Sequence, residues 1–376
     1  MSDQLGAAVI GAGGFIGAIH VRALRLAGAK LIAVAESSPD RSVRAAAKTG
    51  AARALESPDQ LGGDDIDVVH VCTPTMLHEP YVRAALANGK HVICEKPLAA
   101  DAKIAEELSE LATEAGVIHA IPFVYRFYPL IREVRHRISS GLSGDVRLIH
   151  GSYLQDWLSR PTDWSWRIDP EAGGPSRAFA DIGSHWFDLI EFVTGHRVTG
   201  LSARFGIAFA ERFATTHVKA FDTSADDGVP TSVRTEDTAS VLFETDGGAS
   251  GTAAISQVSN GHKNRLWFEI DGAEESLVFD QESPEKIWVG RRDGSAELVR
   301  DPAVLSPEAA RLSILPAGHP QGWSDSFALF VADTYRAIGT GISDGVPTFA
   351  DGARSARLVE VTLASDERRE WVEVPS

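Results

Sequence analysis

The chain has 376 residues and a formal net charge of -16, from 36 basic and 52 acidic side chains. This length exceeds one ordinary hydrophobic core, so two domains are expected. The acidic excess argues against a nucleic-acid partner, because phosphate backbones are bound by clustered Lys and Arg. The amino terminus shows no basic segment followed by an apolar stretch, and no apolar run is long enough to span a bilayer. We therefore expect a cytoplasmic protein with no membrane partner.

Residues 1–124 alternate short apolar strands with helical segments, and the strands include AAVIGAG, KLIAVAE, DVVHVCTP and HVICEKP. Strands that are apolar throughout and separated by helices are typical of a parallel sheet covered on both faces. This α/β pattern predicts a domain with the architecture of a Rossmann fold. Cys72 and Cys94 lie inside two of these strands, so we expect buried core cysteines and no disulfide.

Residues 125–376 have a different pattern, with helical segments at both ends and repeated strands separated by turns in the middle. Turn signals such as Asp246-Gly247-Gly248 and Asp293-Gly294 favour antiparallel pairing. We predict an α+β domain with a large, open, mostly antiparallel sheet, which would bind substrate and form oligomer contacts.

A glycine-rich turn follows the first strand, in GAGGFIG. Its backbone amides and the following helix N-terminus can hold a pyrophosphate. The glycines can be read as Gly11, Gly14 and Gly17, or as Gly11 and Gly13 with the last glycine one place late. The residues expected to contact the cofactor here are Gly11, Gly13, Gly14, Phe15 and Ile16.

Glu36 ends the second strand, about twenty residues beyond the turn, where a carboxylate can bond both ribose hydroxyls of NAD. The same carboxylate would repel the additional phosphate of NADP, so NAD is the expected cofactor. A solvated loop glutamate is the alternative. NADP stays open because nearby Ser37, Ser38 and Arg41 could accommodate a phosphate.

The segment HVICEKPLA, with Glu-Lys-Pro at the end of a buried strand, resembles the glucose–fructose oxidoreductase, inositol dehydrogenase and rhizopine catabolism (Gfo/Idh/MocA) family of oxidoreductases. The segments CTPTMLH, FVYRFYP and DIGSHWFDL are similar to the family as well, and the resemblance covers nearly the whole chain. The additional glycine in the first turn departs from the commonest family pattern.

The resemblance implies a nicotinamide-dependent enzyme that oxidises a secondary alcohol on a cyclic sugar or polyol. It places Glu95 and Lys96 at the nicotinamide end, with Lys96 facing the substrate hydroxyl. The other residues that it assigns to cofactor or substrate on this side are Thr73, Pro74, His78 and Tyr125.

Asp181 and His185 lie four residues apart, so on an α-helix they share one face. His185 is a natural general base for an alcohol proton, because an unperturbed histidine titrates near neutral pH. Lys96 can stabilise the developing alkoxide, and Asp181 can orient the pair. The alternatives are that Lys96 is a solvated lysine at a strand end and that His185 is a histidine packed in a helix.

The stretch before that helix, YLQDWLSRPTDWSWRIDPEAGG, suits a sugar ring because aromatic faces stand beside hydrogen-bonding groups. Its candidates are Gln155, Trp166 and Arg167, with Arg167 also expected near the cofactor. The tryptophans could equally fill the core. The segments SQVSNGHKNRLWFEIDG and LPAGHPQGWSDSF are similar to the family branch that includes levoglucosan dehydrogenase, which acts at carbon three of a pyranose ring. They suggest Asn264 and His319 as substrate contacts.

Three other classes of protein share some of these features. A short-chain dehydrogenase would need Tyr-x-x-x-Lys, and no tyrosine here has lysine four places on. An inositol or sugar-phosphate dehydrogenase of the same family stays open. A non-catalytic NAD(P)-sensing regulator is disfavoured by Lys96, Asp181 and His185 occurring together. No metal is expected, since the histidines are scattered, and the family resemblance implies a homodimer or homotetramer.

Overall fold

The computed structural model describes residues 4–214, 228–342 and 345–375. The strands among these residues are β1 (Gly6–Ile10), β2 (Lys30–Ala35), β3 (Arg53–Ala54), β4 (Val68–Val71), β5 (His91–Cys94), β6 (His119–Ala120), β7 (Val146–Leu154), β8 (Val198–Gly206), β9 (Glu211–Ala214), β10 (Val229–Ser232), β11 (Thr238–Thr245), β12 (Ser250–Ser256), β13 (Arg265–Gly272), β14 (Ser276–Asp280), β15 (Lys286–Gly290), β16 (Ala296–Val299) and β17 (Val372–Glu373).

The α-helices of the same part of the chain are α1 (Phe15–Leu26), α2 (Pro39–Thr49), α3 (His78–Ala87), α4 (Ala102–Glu114), α5 (Pro129–Ser139), α6 (Pro170–Gly173), α7 (Ser184–Thr194), α8 (Pro307–Leu312), α9 (Trp323–Thr340) and α10 (Phe349–Arg368). None of the helices in the described ranges is long and apolar enough to cross a membrane.

The chain divides into two compact units. The first unit comprises Met1–Val124 and Trp323–Ala356, and the second comprises Tyr125–Gly322 and Arg357–Ser376. The sequence-based boundaries assigned everything after residue 124 to the second domain, which differs from the structure for Trp323–Ala356. These residues belong to the first unit because α9 packs against α1 and Ile121 N donates to Pro347 O at 2.9 Å.

The first unit is built around a six-stranded parallel sheet in the order β3-β2-β1-β4-β5-β6. Strands β1 and β4 are buried along their whole length, as their uninterrupted apolar sequences predict. Both cysteines are free thiols in this core. The predicted α/β Rossmann domain is confirmed, with β3 as a short additional edge strand.

The second unit contains a nine-stranded sheet in the order β16-β15-β14-β13-β7-β12-β11-β8-β17. Only the β7–β12 pair is parallel among these neighbours, which confirms the large, mostly antiparallel sheet. Buried and exposed residues alternate along β11, so the sheet has one covered face and one open face. Exposed side chains on this sheet include Leu148, Leu242 and Trp288.

Helix α7 covers the buried face of this sheet. Trp186 and Phe187 pack against Phe243 of β11, with ring centroids 5.9 and 5.3 Å away. The indole of Trp186 also donates to Trp267 O at 3.0 Å. These contacts fix the position of the helix that carries His185.

Candidate active site

The glycine-rich turn joins β1 to α1 and allows close backbone approach. Gly11 has a φ of +86°, which favours glycine, and a Cβ there would lie 2.7 Å from Cys72 O. A Cβ on Gly17 would lie 2.1 Å from Gly11 O, whereas the nearest atom to one on Gly14 is 3.8 Å away. The steric need for glycine therefore falls on Gly11 and Gly17, and Gly14 leaves space open beside the start of α1.

The Glu36 carboxylate is held against this turn, because Gly13 N donates to its Oε1. A Cβ on Gly13 would come within 2.9 Å of the same oxygen. The Glu36 amide is fixed in turn by Ser42 Oγ at 2.8 Å. The structure thus favours reading the glycines as Gly11 and Gly13 with Gly17 one place late, and Glu36 is not a freely solvated loop residue.

This arrangement fits a dinucleotide. The turn offers backbone amides at the N-terminus of α1, and open space remains at Gly14 where a side chain would otherwise stand. A carboxylate next to that turn matches the position at which ribose hydroxyls are bonded in Rossmann domains. Phe15 is half exposed beside the turn and stacks on Trp323 at 6.4 Å.

The loops after β4 and β5 are joined by His78. Its ring is buried, with Nδ1 2.8 Å from Pro97 O and Nε2 2.9 Å from Thr73 O. Burial lowers the pKa of His78, and a neutral ring donates to only one of the two carbonyls at a time. Both ring nitrogens thus bond carbonyls of the protein backbone, and His78 ties together the two loops expected to border the cofactor.

Glu95 and Lys96 stand at the carboxyl end of β5, the edge where such sheets bind ligands. Glu95 N donates to Val71 O at 2.9 Å, which continues the pairing with β4. The Glu95 side chain is buried, and its Oε2 accepts from Lys96 N at 3.2 Å. The Lys96–Pro97 peptide is cis, and Lys96 itself is half-buried.

In the second unit, Asp181 and His185 are not on one regular α-helix. Asp181 lies in a π-helical turn, Phe179–Gly183, that runs directly into α7. Ser184 N bonds Phe179 O, five residues back, and the Ser184 hydroxyl donates to Ala180 O at 2.7 Å. The wider turn changes the angle between the two side chains from the one expected for an α-helix. Such turns are frequent at functional sites.

Buried Glu236 fixes the start of this π-helical turn. Its Oε1 accepts from Ser176 Oγ at 2.8 Å, from Arg177 N at 3.0 Å and from Phe179 N at 2.8 Å. Burial raises the pKa of Glu236.

Asp181 is bonded on both carboxylate oxygens. Gln257 Nε2 donates to Oδ2 at 2.9 Å, and Arg167 Nε lies 3.3 Å from Oδ1. The Arg167 guanidinium also covers the Trp166 ring, 4.6 Å from its centroid. Gln257 was missed in the sequence, where nothing distinguishes it from other polar residues after a strand.

His185 is buried, and its ring meets Tyr125 edge-on at 5.2 Å. The Tyr125 and Tyr153 hydroxyls are hydrogen-bonded to each other, and Asn264 joins both. Tyr153 donates to Asn264 Oδ1 at 2.7 Å, and Asn264 Nδ2 donates to Tyr125 Oη at 3.1 Å. Gln155 Nε2 donates to the same Oδ1 at 2.8 Å. We call Tyr125, Tyr153, Gln155 and Asn264 the amide–tyrosine network.

Burial raises the pKa of Tyr125 and raises that of Tyr153 further, so both phenols stay neutral. The structure therefore brings the expected residues Tyr125, Gln155 and Asn264 together, and adds Tyr153. His319 has a different environment, since its carbonyl accepts from Arg300 Nη2 at 2.7 Å and the residue is exposed.

One further group of possible ligands lies on β7 and β13. His150 Nε2 is 3.6 Å from Glu269 Oε2 and 3.7 Å from Asp271 Oδ2. Sequence spacing could not indicate this group because its members lie on different strands. The three side chains are partly exposed, which is common in the absence of a metal, so the group by itself carries no metal assignment.

Two family models match this chain, one in each of the two units. A model of the oxidoreductase family's NAD-binding Rossmann fold matches residues 5–123, and a model of the GFO/IDH/MocA C-terminal domain matches residues 131–278. Levoglucosan dehydrogenase of Pseudarthrobacter phenanthrenivorans is 29% identical over 352 residues, covering 91% of this chain and 89% of the relative. A 1,5-anhydro-D-fructose reductase of Ensifer adhaerens is 30% identical over 298 residues, covering 76% and 80%.

A solved structure of levoglucosan dehydrogenase in complex with NADH and L-sorbose superposes with a TM-score of 0.89 at 27% identity. The superposition covers 99% of each chain. The first unit is an NAD-binding Rossmann domain, and this chain belongs to the Gfo/Idh/MocA family of oxidoreductases.

Proposed function

We propose that this enzyme oxidises a secondary ring hydroxyl of a cyclic sugar or glycoside, of the levoglucosan type and at carbon three, with NAD as acceptor. The observation that carries the proposal is the amide–tyrosine network beside His185. Its members are neutral groups that both donate and accept hydrogen bonds, as the hydroxyls of an uncharged sugar require.

The charges of the second unit support an uncharged substrate. A sugar phosphate would call for cations available to its oxygens. Arg167 is one such cation among the described residues, and its charge already faces the Asp181 carboxylate at 3.3 Å. The resemblance to levoglucosan dehydrogenase points the same way.

In this proposal the glycine turn binds the pyrophosphate through backbone amides, and Glu36 bonds the ribose. The bound nicotinamide supplies the hydride acceptor. His185 removes the hydroxyl proton, while Lys96 stabilises the negative charge that develops on the oxygen. Asp181 orients His185 and is itself held by Gln257. Trp166 supplies an apolar face for the ring.

The test is turnover measured as absorbance of the reduced nicotinamide, with NAD and NADP in turn, across levoglucosan, glucose, methyl glucosides and inositols. We expect turnover of an anhydrosugar or glycoside with NAD. Lys96→Ala and His185→Ala should each lower kcat by roughly 10²- to 10⁴-fold. The controls are Lys103→Ala and His136→Ala, which remove exposed residues of the same types and should leave kcat unchanged.

Turnover of inositols alone would contradict the sugar assignment and keep the reaction class. Tight NADH binding without turnover of any of these substrates would favour an NAD-sensing regulator. A preference for NADP would contradict the role given to Glu36.

We also propose that a second copy of the chain covers the open sheet face, as a dimer or tetramer. The exposed Leu148, Leu242 and Trp288 on this face support that arrangement. Light scattering of Leu242→Glu against the parent protein tests it, since the charge should lower the measured mass.

A further inference from the structure

Four side chains of the first unit form a continuous line of hydrogen bonds that begins at Glu95. Glu95 Oε1 lies 3.1 Å from His20 Nε2, and His20 Nδ1 lies 2.8 Å from His70 Nδ1. His70 Nε2 lies 2.7 Å from the Tyr335 hydroxyl. The four residues come from the end of β5, from α1, from β4 and from α9. We call them the histidine line.

The histidine line is enclosed by protein. His20 and His70 are 0% exposed, Glu95 is 8% exposed and Tyr335 is 7% exposed. The ring of Phe327 meets His20 edge-on at 4.9 Å and closes that side. Buried polar groups of this kind are expensive unless each one is hydrogen-bonded, so the pattern of donors along the line is constrained.

That pattern follows from the donors available. A neutral imidazole has one N–H and one acceptor nitrogen, and an ionised carboxylate only accepts. With Glu95 ionised and both rings neutral, His20 donates from Nε2 and must accept at Nδ1. His70 then donates from Nδ1 and must accept at Nε2, where the described residues place the Tyr335 hydroxyl as the donor. Every polar atom is paired, both rings are neutral, and all donors point toward Glu95.

The reverse pattern requires a protonated Glu95 that donates to His20, with Tyr335 accepting at the far end. With both rings neutral, the line therefore has two self-consistent states, which differ in the tautomer of both histidines and in the charge of Glu95. Burial lowers the pKa of His70 and raises that of Tyr335, so His70 does not readily gain a proton and Tyr335 does not readily lose one. The adjacent thiols of Cys72 and Cys94 also stay neutral, because burial raises the pKa of both.

The Glu95 end of the line meets the catalytic turn. The second carboxylate oxygen of Glu95 accepts from the backbone N–H of Lys96 at 3.2 Å. The carboxylate is thereby bonded on one oxygen to the histidine line and on the other to the turn that carries the proposed catalytic lysine. An altered tautomer at His20 changes what the carboxylate can accept at its first oxygen.

We propose that His20, His70 and Tyr335 are positioning residues that hold Glu95 as an ionised hydrogen-bond acceptor beside Lys96. In this assignment α9 influences the catalytic turn through the direction of one continuous set of hydrogen bonds. The catalytic part of the proposal rests on the proposed function of Lys96, whereas the direction of the line is a property of the protein alone.

The direction is tested without substrate or cofactor, by nitrogen NMR of the protein labelled with ¹⁵N-histidine. His20→Gln and His70→Gln spectra assign the two rings. We expect His20 as the Nε2–H tautomer and His70 as the Nδ1–H tautomer, both neutral at pH 7. The opposite tautomers, or a protonated ring, would overturn the proposal whether or not the enzyme oxidises sugars.

The influence on the catalytic turn is tested with Tyr335→Phe, which removes the terminal donor and keeps the ring. We expect kcat to fall about threefold to tenfold, as for the loss of one hydrogen bond in a buried network, with KM for sugar unchanged. The control is Thr334→Val, which removes a buried hydroxyl of the same helix that bonds Phe330 O at 2.9 Å. This control should leave kcat and the His20 signals unchanged.

A double variant separates positioning from general loosening of the fold. His20→Phe keeps an aromatic ring but removes both nitrogens, so it breaks the connection between Glu95 and His70. In that background Tyr335→Phe should have no further effect on kcat. Multiplying effects of the two changes, or an unshifted His20 signal in Tyr335→Phe, would show that α9 acts on the turn only through packing.

Discussion

The two units place their functional side chains in different ways. In the first unit each candidate follows the strand that positions it, with Gly11 after β1, Glu36 after β2, Thr73 after β4 and Glu95 after β5. In the second unit the amide–tyrosine network joins Tyr125 to Asn264, which is 139 residues further along the chain. In the parallel sheet, each candidate residue can therefore be found in the sequence directly after a strand. In the antiparallel sheet, the candidate residues come together only because strands distant in the sequence are paired.

The two units also differ in the kind of interaction that fixes their functional side chains. The geometry of the glycine turn in the first unit depends on steric limits of the backbone, where one methyl group meets carbonyl oxygens that cannot move independently. Geometry in the second unit depends on hydrogen bonds among side chains, which fail when one partner changes chemistry. Three changes test whether the two regions respond as this contrast predicts.

The largest effect is expected in the glycine turn. Gly17→Ala places a Cβ 2.1 Å from Gly11 O, so α1 must move away from β1. We expect a loss of about 3 kcal/mol in the free energy of unfolding, the upper range for overpacking, and weaker NADH binding. Chemical denaturation measures the free energy of unfolding, and NADH fluorescence measures the binding of NADH.

Gly14→Ala is the matched control, because the nearest atom to its Cβ is 3.8 Å away. It should change the free energy of unfolding by less than about 1 kcal/mol, the usual effect of a helix N-cap change. Equal losses in the two variants would contradict the steric interpretation of the turn.

A smaller effect is expected in the amide–tyrosine network. Asn264→Asp keeps the shape and the acceptor for Tyr153 and Gln155, but replaces the donor to Tyr125 by an acceptor. We expect a loss of about 2 kcal/mol in the free energy of unfolding, typical of a buried group left without its partner. The KM for sugar should rise as well.

Asn88→Asp serves as the comparison for that change, since its amide bonds Ala84 O at an exposed helix end. Denaturation of both variants at pH 7 is the measurement. If Asn264→Asp were no more destabilising than Asn88→Asp, the network would not hold the second unit's site together.

The smallest effect concerns the pH dependence of Glu236. Burial raises the pKa of this carboxyl above its value in the unfolded chain. Its contribution to stability is therefore complete below the unfolded pKa, near 4.3, and is lost as pH rises through the folded pKa. Glu236→Gln keeps an acceptor for Ser176, Arg177 and Phe179 and cannot ionise.

We expect Glu236→Gln to gain stability relative to the parent protein as pH rises from 4 to 8, by on the order of 1 kcal/mol. Exposed Glu244→Gln on β11 should show no such trend. Denaturation midpoints across this pH range decide the question, and a flat difference for Glu236→Gln would mean that folding does not raise the pKa of this carboxyl.

Much of the first unit could be predicted from the sequence because its signals are local. Apolar runs predicted the strands, and the turn glycines predicted the NAD-binding Rossmann domain, in which Glu36 is proposed to bond the ribose. The assignment of Trp323–Ala356 to the first unit could not be predicted, because no local sequence pattern shows that α9 packs on α1. The two nitrogen contacts of His78 also depend on loops that follow separate strands.

In the second unit the chemistry of single residues was predictable and their partners were not. Tyr153 and Gln257 carry no local pattern, because their importance comes from strand register and helix packing. The π-helical turn was missed for a related reason. A spacing of four predicts an α-helical face, and the additional residue in the turn is fixed by contacts with Glu236, 57 residues away from Phe179.

The first unit is built from two separate stretches of the chain, and this has a consequence for its synthesis on the ribosome. Strands β1 to β6 are complete once residue 120 has been made, but Tyr335 and Phe327 are made more than two hundred residues later. Until then His70 lacks its hydroxyl partner and His20 lacks its aromatic cover. The unit is therefore finished only near the end of translation, and residues 1–124 released alone would expose two histidines that the complete protein buries.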